Sequence, residues 1–171
     1  EGSKEIDELN TFINEFKKST LRDDALYELG NSYVKLNEVD KAMRMYDQLN
    51  TEYRASQYVS KSILRQGLVH YNSGKNELAL TKFKTVANNY QGTPEAVQAV
   101  STARLTYIDL GRVDEYANWV RTLDYIDVTD AELDNATYEA AEKQYLASNT
   151  NRAIKLFNSY LNEFSNGIHA L

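Results

Sequence analysis

Few side chains in this sequence are placed to do covalent or metal chemistry. There are no cysteines, which removes thiolate nucleophiles, disulfides and Cys-based metal sites together. The two histidines, His70 and His169, stand about 100 residues apart, without the close spacing of a metal site and without the partners of a Ser–His–Asp arrangement. No Gly-rich phosphate loop and no His-Glu-x-x-His run occurs. The carboxylate pairs Asp23-Asp24 and Asp114-Glu115 could in principle do acid–base work. Both fall at expected helix starts, however, where acids are favoured by the helix dipole alone. Asn135-Ala136-Thr137 has the form of a glycosylation sequon, which a chain with this many Asn and Thr meets by chance. No catalytic residue, metal site or cofactor is therefore expected, and His70, beside Tyr71, reads as a packing residue.

The elements that carry these residues are periodic. Ala42, Ala79, Tyr116 and Ala153 are spaced 37 apart, as are Tyr46, Phe83, Val120 and Phe157, and Leu49, Val86, Leu123 and Tyr160. A fourth register runs Tyr53, Tyr90, Asp127, Phe164. A fixed period of this length marks a solenoid, in which each repeat packs only on its neighbours. Within each unit two helical faces are separated by a breaker: Asn37, Gly74, Gly111 and Ser148. Asn and Gly accept the left-handed conformation that closes a helix, so three of the four fit a helix stop. Thr93-Pro94 reads as an N-cap followed by proline at the first helical position, and Thr129 with Glu132 as a capping box. One proline and seven glycines among 171 residues agree with helix throughout. The spacing predicts helices over 4–17, 21–36, 39–53, 57–73, 76–90, 94–110, 113–125, 130–147 and 150–164.

The third unit breaks the pattern. Arg104 stands where Gly30 and Gly67 stand in the first two units, Tyr116 replaces the small residue, and Asp127 replaces the closing aromatic. Overpacking at such a crossing costs about 1–3 kcal/mol unless the helices move apart. The helix over 113–125 is therefore expected to be displaced or shortened, with Tyr116 and Trp119 filling the wider gap.

Charge is unevenly spread. The net charge is −6; residues 1–85 carry 13 basic and 13 acidic side chains, and residues 86–171 carry 6 and 12. Ten of those acids lie between Asp109 and Glu142, against Arg112 and Arg121. A chain with such a balance is not expected to seek nucleic acid or anionic lipid, because both need a basic stripe. The acidic stretch has two readings: a solvated surface with acids near helix starts, or a face for a basic partner. No apolar run is long enough to insert directly in a membrane.

The first unit, with Leu26, Leu29-Gly30, Tyr33, Ala42, Tyr46 and Leu49, resembles the tetratricopeptide repeat. The resemblance implies an all-α fold, an α-α superhelix of antiparallel helix pairs with about four and a half repeats. It divides a single array over 1–171 into repeats at 20–55, 56–92, 93–128 and 129–165. Residues 4–17 form the second helix of a truncated repeat, so the chain is read as a fragment of a longer one. A unit of 37 rather than about 34 residues, with Tyr53 or Tyr90 closing the second helix, is similar to the repeats of bacterial cell-envelope proteins. The Tol–Pal coordinator and the lipoprotein of the outer-membrane barrel assembly machinery are of this kind. Their Tyr/Phe-Pro-x-Ser junction is absent here, where Tyr53-Arg54-Ala55-Ser56 and Tyr90-Gln91-Gly92-Thr93 lack the proline. The envelope resemblance implies a periplasmic or cell-envelope setting rather than a cytoplasmic one.

In this family the first helix of each unit lines the concave face. By phase with the core residues, that face is expected to present Tyr27, Asn31, Val34 and Lys35, then Leu64, Leu68, Tyr71 and Asn72. Leu105 and Ile108 follow in the third unit, and Tyr138, Glu142 and Tyr145 in the fourth. Thirteen tyrosines against five phenylalanines suit a recognition surface, since tyrosine joins a large apolar area to a hydroxyl. The same rings also fit a repeat core whose hydroxyls reach the surface. The carboxylate clamp of chaperone-binding members does not carry over, because Tyr27, Leu68 and Ser101 stand where further clamp groups belong. The resemblance thus implies a non-enzymatic scaffold binding a partner protein or peptide. The alternatives are a self-association module, or a helical spacer joined to a catalytic domain.

Overall fold

Four of the five residues with positive φ among those described close helices and set the helical layout. Asn37, Gly74, Gly111 and Ser148 have φ of 59°, 71°, 66° and 61°. In the computed structural model, which describes residues 2–170, each closes a helix in the same way. The amide of the following residue reaches back to a carbonyl in the last turn: Glu38 to Tyr33, Lys75 to His70, Arg112 to Tyr107 and Asn149 to Gln144, all at 2.9 Å. This is the Schellman bond, and it satisfies carbonyls that the helix itself leaves open. Ser148 thus takes the same stop as the glycines and the asparagine, although its Cβ disfavours it.

Among the described residues there are nine helices and no strand. They are α1 (Gly2–Glu15), α2 (Arg22–Lys35), α3 (Val39–Glu52), α4 (Tyr58–Asn72), α5 (Asn76–Asn89), α6 (Pro94–Leu110), α7 (Val113–Val120), α8 (Asp130–Leu146) and α9 (Thr150–Glu163). Starts are set by side chains where the sequence predicts it. The Thr93 hydroxyl accepts from the Ala96 amide with Pro94 at the first helical position, and the Thr129 hydroxyl accepts from the Glu132 amide, both at 3.2 Å. The Glu132 carboxylate is turned instead to Tyr116, whose hydroxyl donates to it at 3.0 Å. No described helix is long and apolar enough to cross a membrane.

The chain divides into two compact units, residues 1–86 and 87–171. In the first, α2 packs on α1, α3 and α4, and α3 packs on α4. Its core gathers Ile6, Ile13, Leu26, Leu29, Ala42, Tyr46 and Leu49, with Leu9 and Phe12 packed against it. The α2–α3 crossing is close because Gly30 faces the Tyr46 ring; a Cβ there would stand 2.4 Å from Cε1. Gly67 and Phe83 repeat the arrangement at 2.6 Å.

In the second unit α8 packs on α6, α7 and α9. Here the crossing residues are exchanged. Tyr116 is 2% exposed at the position of the small residue, and Val120 is fully buried one turn later, where the other units carry a ring. Arg104, in the glycine position, leaves the gap and joins α6 to α8 through Glu139 at 2.9 Å and Glu132 at 3.7 Å. The helix expected over 113–125 is accordingly short, ending at Val120 with turns beyond it. Tyr107 fills the space, its ring 6.2 Å from Tyr116 and 6.4 Å from Trp119.

Two stability changes are expected. Gly30→Ala should destabilise by about 1–3 kcal/mol through overpacking against Tyr46. Ser148→Gly should stabilise by about 0.5–1 kcal/mol through relief of the left-handed backbone. Urea unfolding followed by circular dichroism checks both; a neutral Gly30→Ala or a destabilised Ser148→Gly contradicts the assignment.

Candidate protein-interaction surface

The residues expected on the first-helix face do not share one environment. In the first unit, Tyr27 is 9% exposed. Its ring stacks on Tyr58 at 5.3 Å and tilts against Tyr46 at 6.2 Å, and its hydroxyl accepts from Arg65 Nε at 3.5 Å. Leu64 is buried, and Val34 is half-buried against the α2–α3 core. Asn31 is half-buried and uses its side-chain oxygen to accept from the Tyr46 hydroxyl at 2.7 Å. Leu68 and Tyr71 are half-buried, and only Lys35 and Asn72 of this set are exposed. The solvent-facing part of α2 and α4 is thus mostly polar, with exposed Glu28 and Arg65 added to it.

The second unit is different. Between α6 and α8 lies a hollow of about 290 Å³ lined by Leu105, Ile108, Glu139, Glu142, Lys143 and Leu146. Ile108 forms a buried base with Val113, Ala136 and Ala140. Leu105 and Leu146 stand at the rim, 45% and 72% exposed, and Tyr145, next to Leu146 in sequence, is 63% exposed. Large apolar side chains left in water this close together are the informative kind of exposure.

The rim is charged, and its cations are held. Arg104 pairs with Glu139 and Glu132, and the Lys143 ammonium pairs with the Asp109 carboxylate. Gln144 Nε2 adds a bond to the Asp109 carbonyl at 3.5 Å. Glu142 is exposed and enters no ion pair among the described residues. Glu139 and Lys143 lack a place in a reading by core phase alone. Their signal is a spacing: they lie 35 and 34 residues after Arg104 and Asp109, the residues they bind.

Tyr138, on α8, is half-buried by the chain itself. The His169 ring stacks on it at 4.1 Å, and Phe157 and Tyr160 meet it edge-on at 5.8 and 5.7 Å. The amides of Ile168 and His169 donate to Asp134 Oδ2 at 3.1 Å and to the Tyr160 hydroxyl at 3.0 Å. A Cβ at Gly167 would stand 2.3 Å from Asp134 Oδ2, so glycine is needed for this approach. Thirty-one residues separate Tyr138 from His169, as they separate Tyr27 from Tyr58, and the second ring covers the first in both cases. The sequence left these tyrosines open between core and recognition roles; Tyr27 and Tyr138 are largely engaged in packing.

No group of three or more His, Asp or Glu side chains able to hold a metal ion occurs among the described residues. Acid–base perturbation falls on packed side chains and on two exposed ion-pair partners, Lys41 raised beside Glu38 and Glu52 lowered beside Arg22. Burial raises the phenols of Tyr46 and Tyr116, and Glu132 adds to the effect at Tyr116. Burial, then the Lys82 and Lys75 ammonium groups, holds His70 below its ordinary value.

Comparison with known proteins agrees with the helix pairing. Residues 24–56 match the tetratricopeptide repeat profile, covering most of α2, all of α3 and the turn after them. The fold is that of the tetratricopeptide repeat proteins. A tetratricopeptide repeat protein from Parabacteroides merdae ATCC 43184 superposes with a TM-score of 0.57 at 16% identity, over 94% of this chain and 59% of that one. This chain therefore spans less than two thirds of that protein's solved length. The TPR-like repeats of a protein described as a kinesin light chain, from Podosopora anserina, give a TM-score of 0.56 at 12% identity, over 95% of this chain and 86% of that one. A single-residue variant of that protein gives 0.58 at the same identity and coverage. No curated protein sequence matches the chain. Tetratricopeptide folds generally serve as protein–protein interaction scaffolds and are typically non-catalytic.

The His70 shift has a consequence for stability. The unfolded chain takes up a proton in the ordinary histidine range, about pH 6.5, before folded His70 does. The contribution of neutral His70 is therefore full above that range and is lost as pH falls through it towards the lowered folded value. Between about pH 7.5 and 5.5 the wild type should lose more unfolding free energy than His70→Gln. Equal losses in chemical denaturation would remove His70 as the cause.

Proposed function

We propose that this protein is a non-enzymatic interaction scaffold that holds a segment of a partner protein on its first helices, chiefly across α6 and α8. The repeats follow the division 20–55, 56–92, 93–128 and 129–165, with 4–17 as a lone second helix. The observation that carries the reading is the α6–α8 hollow, where Leu105 and Leu146 remain in water above buried Ile108. Contact there would bury two leucines around a preformed base, the arrangement that concentrates binding energy in a few side chains; Tyr145, exposed and next to Leu146 in sequence, is a further contact residue. Within the first unit, taken by itself, Lys35, Leu68, Tyr71 and Asn72 form a more polar candidate zone. Tyr27, Leu64 and Ile108 support the surface from beneath, because they are buried. The 37-residue unit supports a bacterial cell-envelope setting for this scaffold.

A second reading, self-association, has its own support in apolar side chains away from the hollow: Phe16 on the turn after α1, and Ile154 and Leu161 on α9, are about half exposed. Light scattering across a concentration series separates the two, since only self-association raises the mass with concentration.

The scaffold reading predicts that dodecapeptides selected on the intact protein from a random displayed library lose at least tenfold in affinity, about 1.4 kcal/mol, towards Leu105→Ser/Leu146→Ser. Circular dichroism of the variant should be unchanged, as both leucines stand at the rim. Selected peptides that bind the double variant as well as the wild type would place the contact elsewhere.

A further inference from the structure

We infer that the segment held between α6 and α8 is cationic: an aliphatic anchor for the hollow, with a lysine or arginine close by in sequence for Glu142. The inference rests on the α6–α8 surface proposed above and adds the chemistry of its occupant. The hollow supplies the first half. Its base is Ile108 and its rim Leu105 and Leu146, so the side chain that enters meets hydrocarbon on both helices. A volume of about 290 Å³ admits one aliphatic side chain with part of its backbone.

The rim supplies the second half. Glu139, Glu142 and Leu146 follow at spacings that put them on one face of α8, and Leu105, Ile108 and Asp109 do the same on α6. The charged groups described around the hollow include four carboxylates, Asp109, Glu132, Glu139 and Glu142, and the cations Arg104 and Lys143. Both cations are already paired to carboxylates. An incoming carboxylate or phosphate would have to break one of those pairs while facing Glu142. An incoming ammonium or guanidinium breaks nothing, and its pairing with Glu142 is a charge-assisted contact at the edge of a hollow lined by Leu105, Ile108 and Leu146. The surroundings act in the same direction: residues 86–171 carry 12 acids and 6 bases, so the field of this half of the sequence draws a basic segment in before contact.

The peptide library tests this without knowledge of the natural partner. Sequences enriched on the wild-type protein should pair Leu, Ile or Met with Lys or Arg within about one helical turn, and should be depleted in Asp and Glu. Binding of an enriched fluorescent peptide should weaken at least fivefold in Glu142→Lys and fall between about 50 and 200 mM salt. Glu163→Gln, an exposed acid on α9, should leave it unchanged. Glu142→Gln should give an intermediate loss, which a merely misfolded variant would not grade. Enriched peptides that depend on Leu105 and Leu146 but carry acidic or uncharged partners would overturn the charge assignment and leave the surface standing. Peptides indifferent to the two leucines would overturn both. Equal weakening by Glu163→Gln would show non-specific attraction to an acidic protein, and would also overturn the assignment.

Discussion

The close crossing of paired helices is the constraint on which the remaining features depend. A ring on the second helix must lie against the backbone of the first, and at Gly30 and Gly67 no Cβ fits beneath it. Each unit therefore accepts one large and one small residue at fixed places. Where Arg104 occupies the glycine position, the ring moves one turn earlier to Tyr116, Val120 takes its former place and the second helix ends after eight residues. Large and small are exchanged and burial is kept, as expected of a core that tolerates repacking at constant volume.

That exchange also prepares the surface. An arginine cannot remain under a ring without a partner, since an unpaired buried cation is far costlier than the pairing that relieves it. Arg104 reaches α8 through Glu139 and Glu132, and Glu132 in turn holds the Tyr116 hydroxyl. The Asp109–Lys143 pair fixes the same two helices one turn on. Two charged ties thus hold α6 and α8 while the leucines between them stay in water. In the first unit the corresponding space is closed by packed rings, Tyr27 under Tyr58.

The helices were legible in the sequence because the signals were local. Periodic apolar faces, Thr93-Pro94, Thr129 and the breakers set most boundaries to within two residues. Ser148 was the weakest of the stops on propensity, yet it adopts the same left-handed backbone, imposed by the surrounding Schellman geometry. The surface was less legible. Helical phase identifies what points away from a helix's own partner, but says nothing of what a segment 31 residues later lays over it. Tyr27 and Tyr138 are covered in this way by Tyr58 and His169. The charged ties to Glu139 and Lys143 were present in the sequence as spacings of 35 and 34, outside any reading that tracks apolar positions.

Contact with a partner should concentrate where the irregular crossing leaves α6 and α8 joined but uncovered. Backbone amide chemical-shift mapping of the isotope-labelled protein, titrated with a library-selected peptide, tests this most directly. The account predicts that the largest shifts cluster on α6 and α8 around Leu105, Glu142 and Leu146. Shifts confined to the outer faces of α1 or α9, with α6 and α8 unmoved, would contradict it.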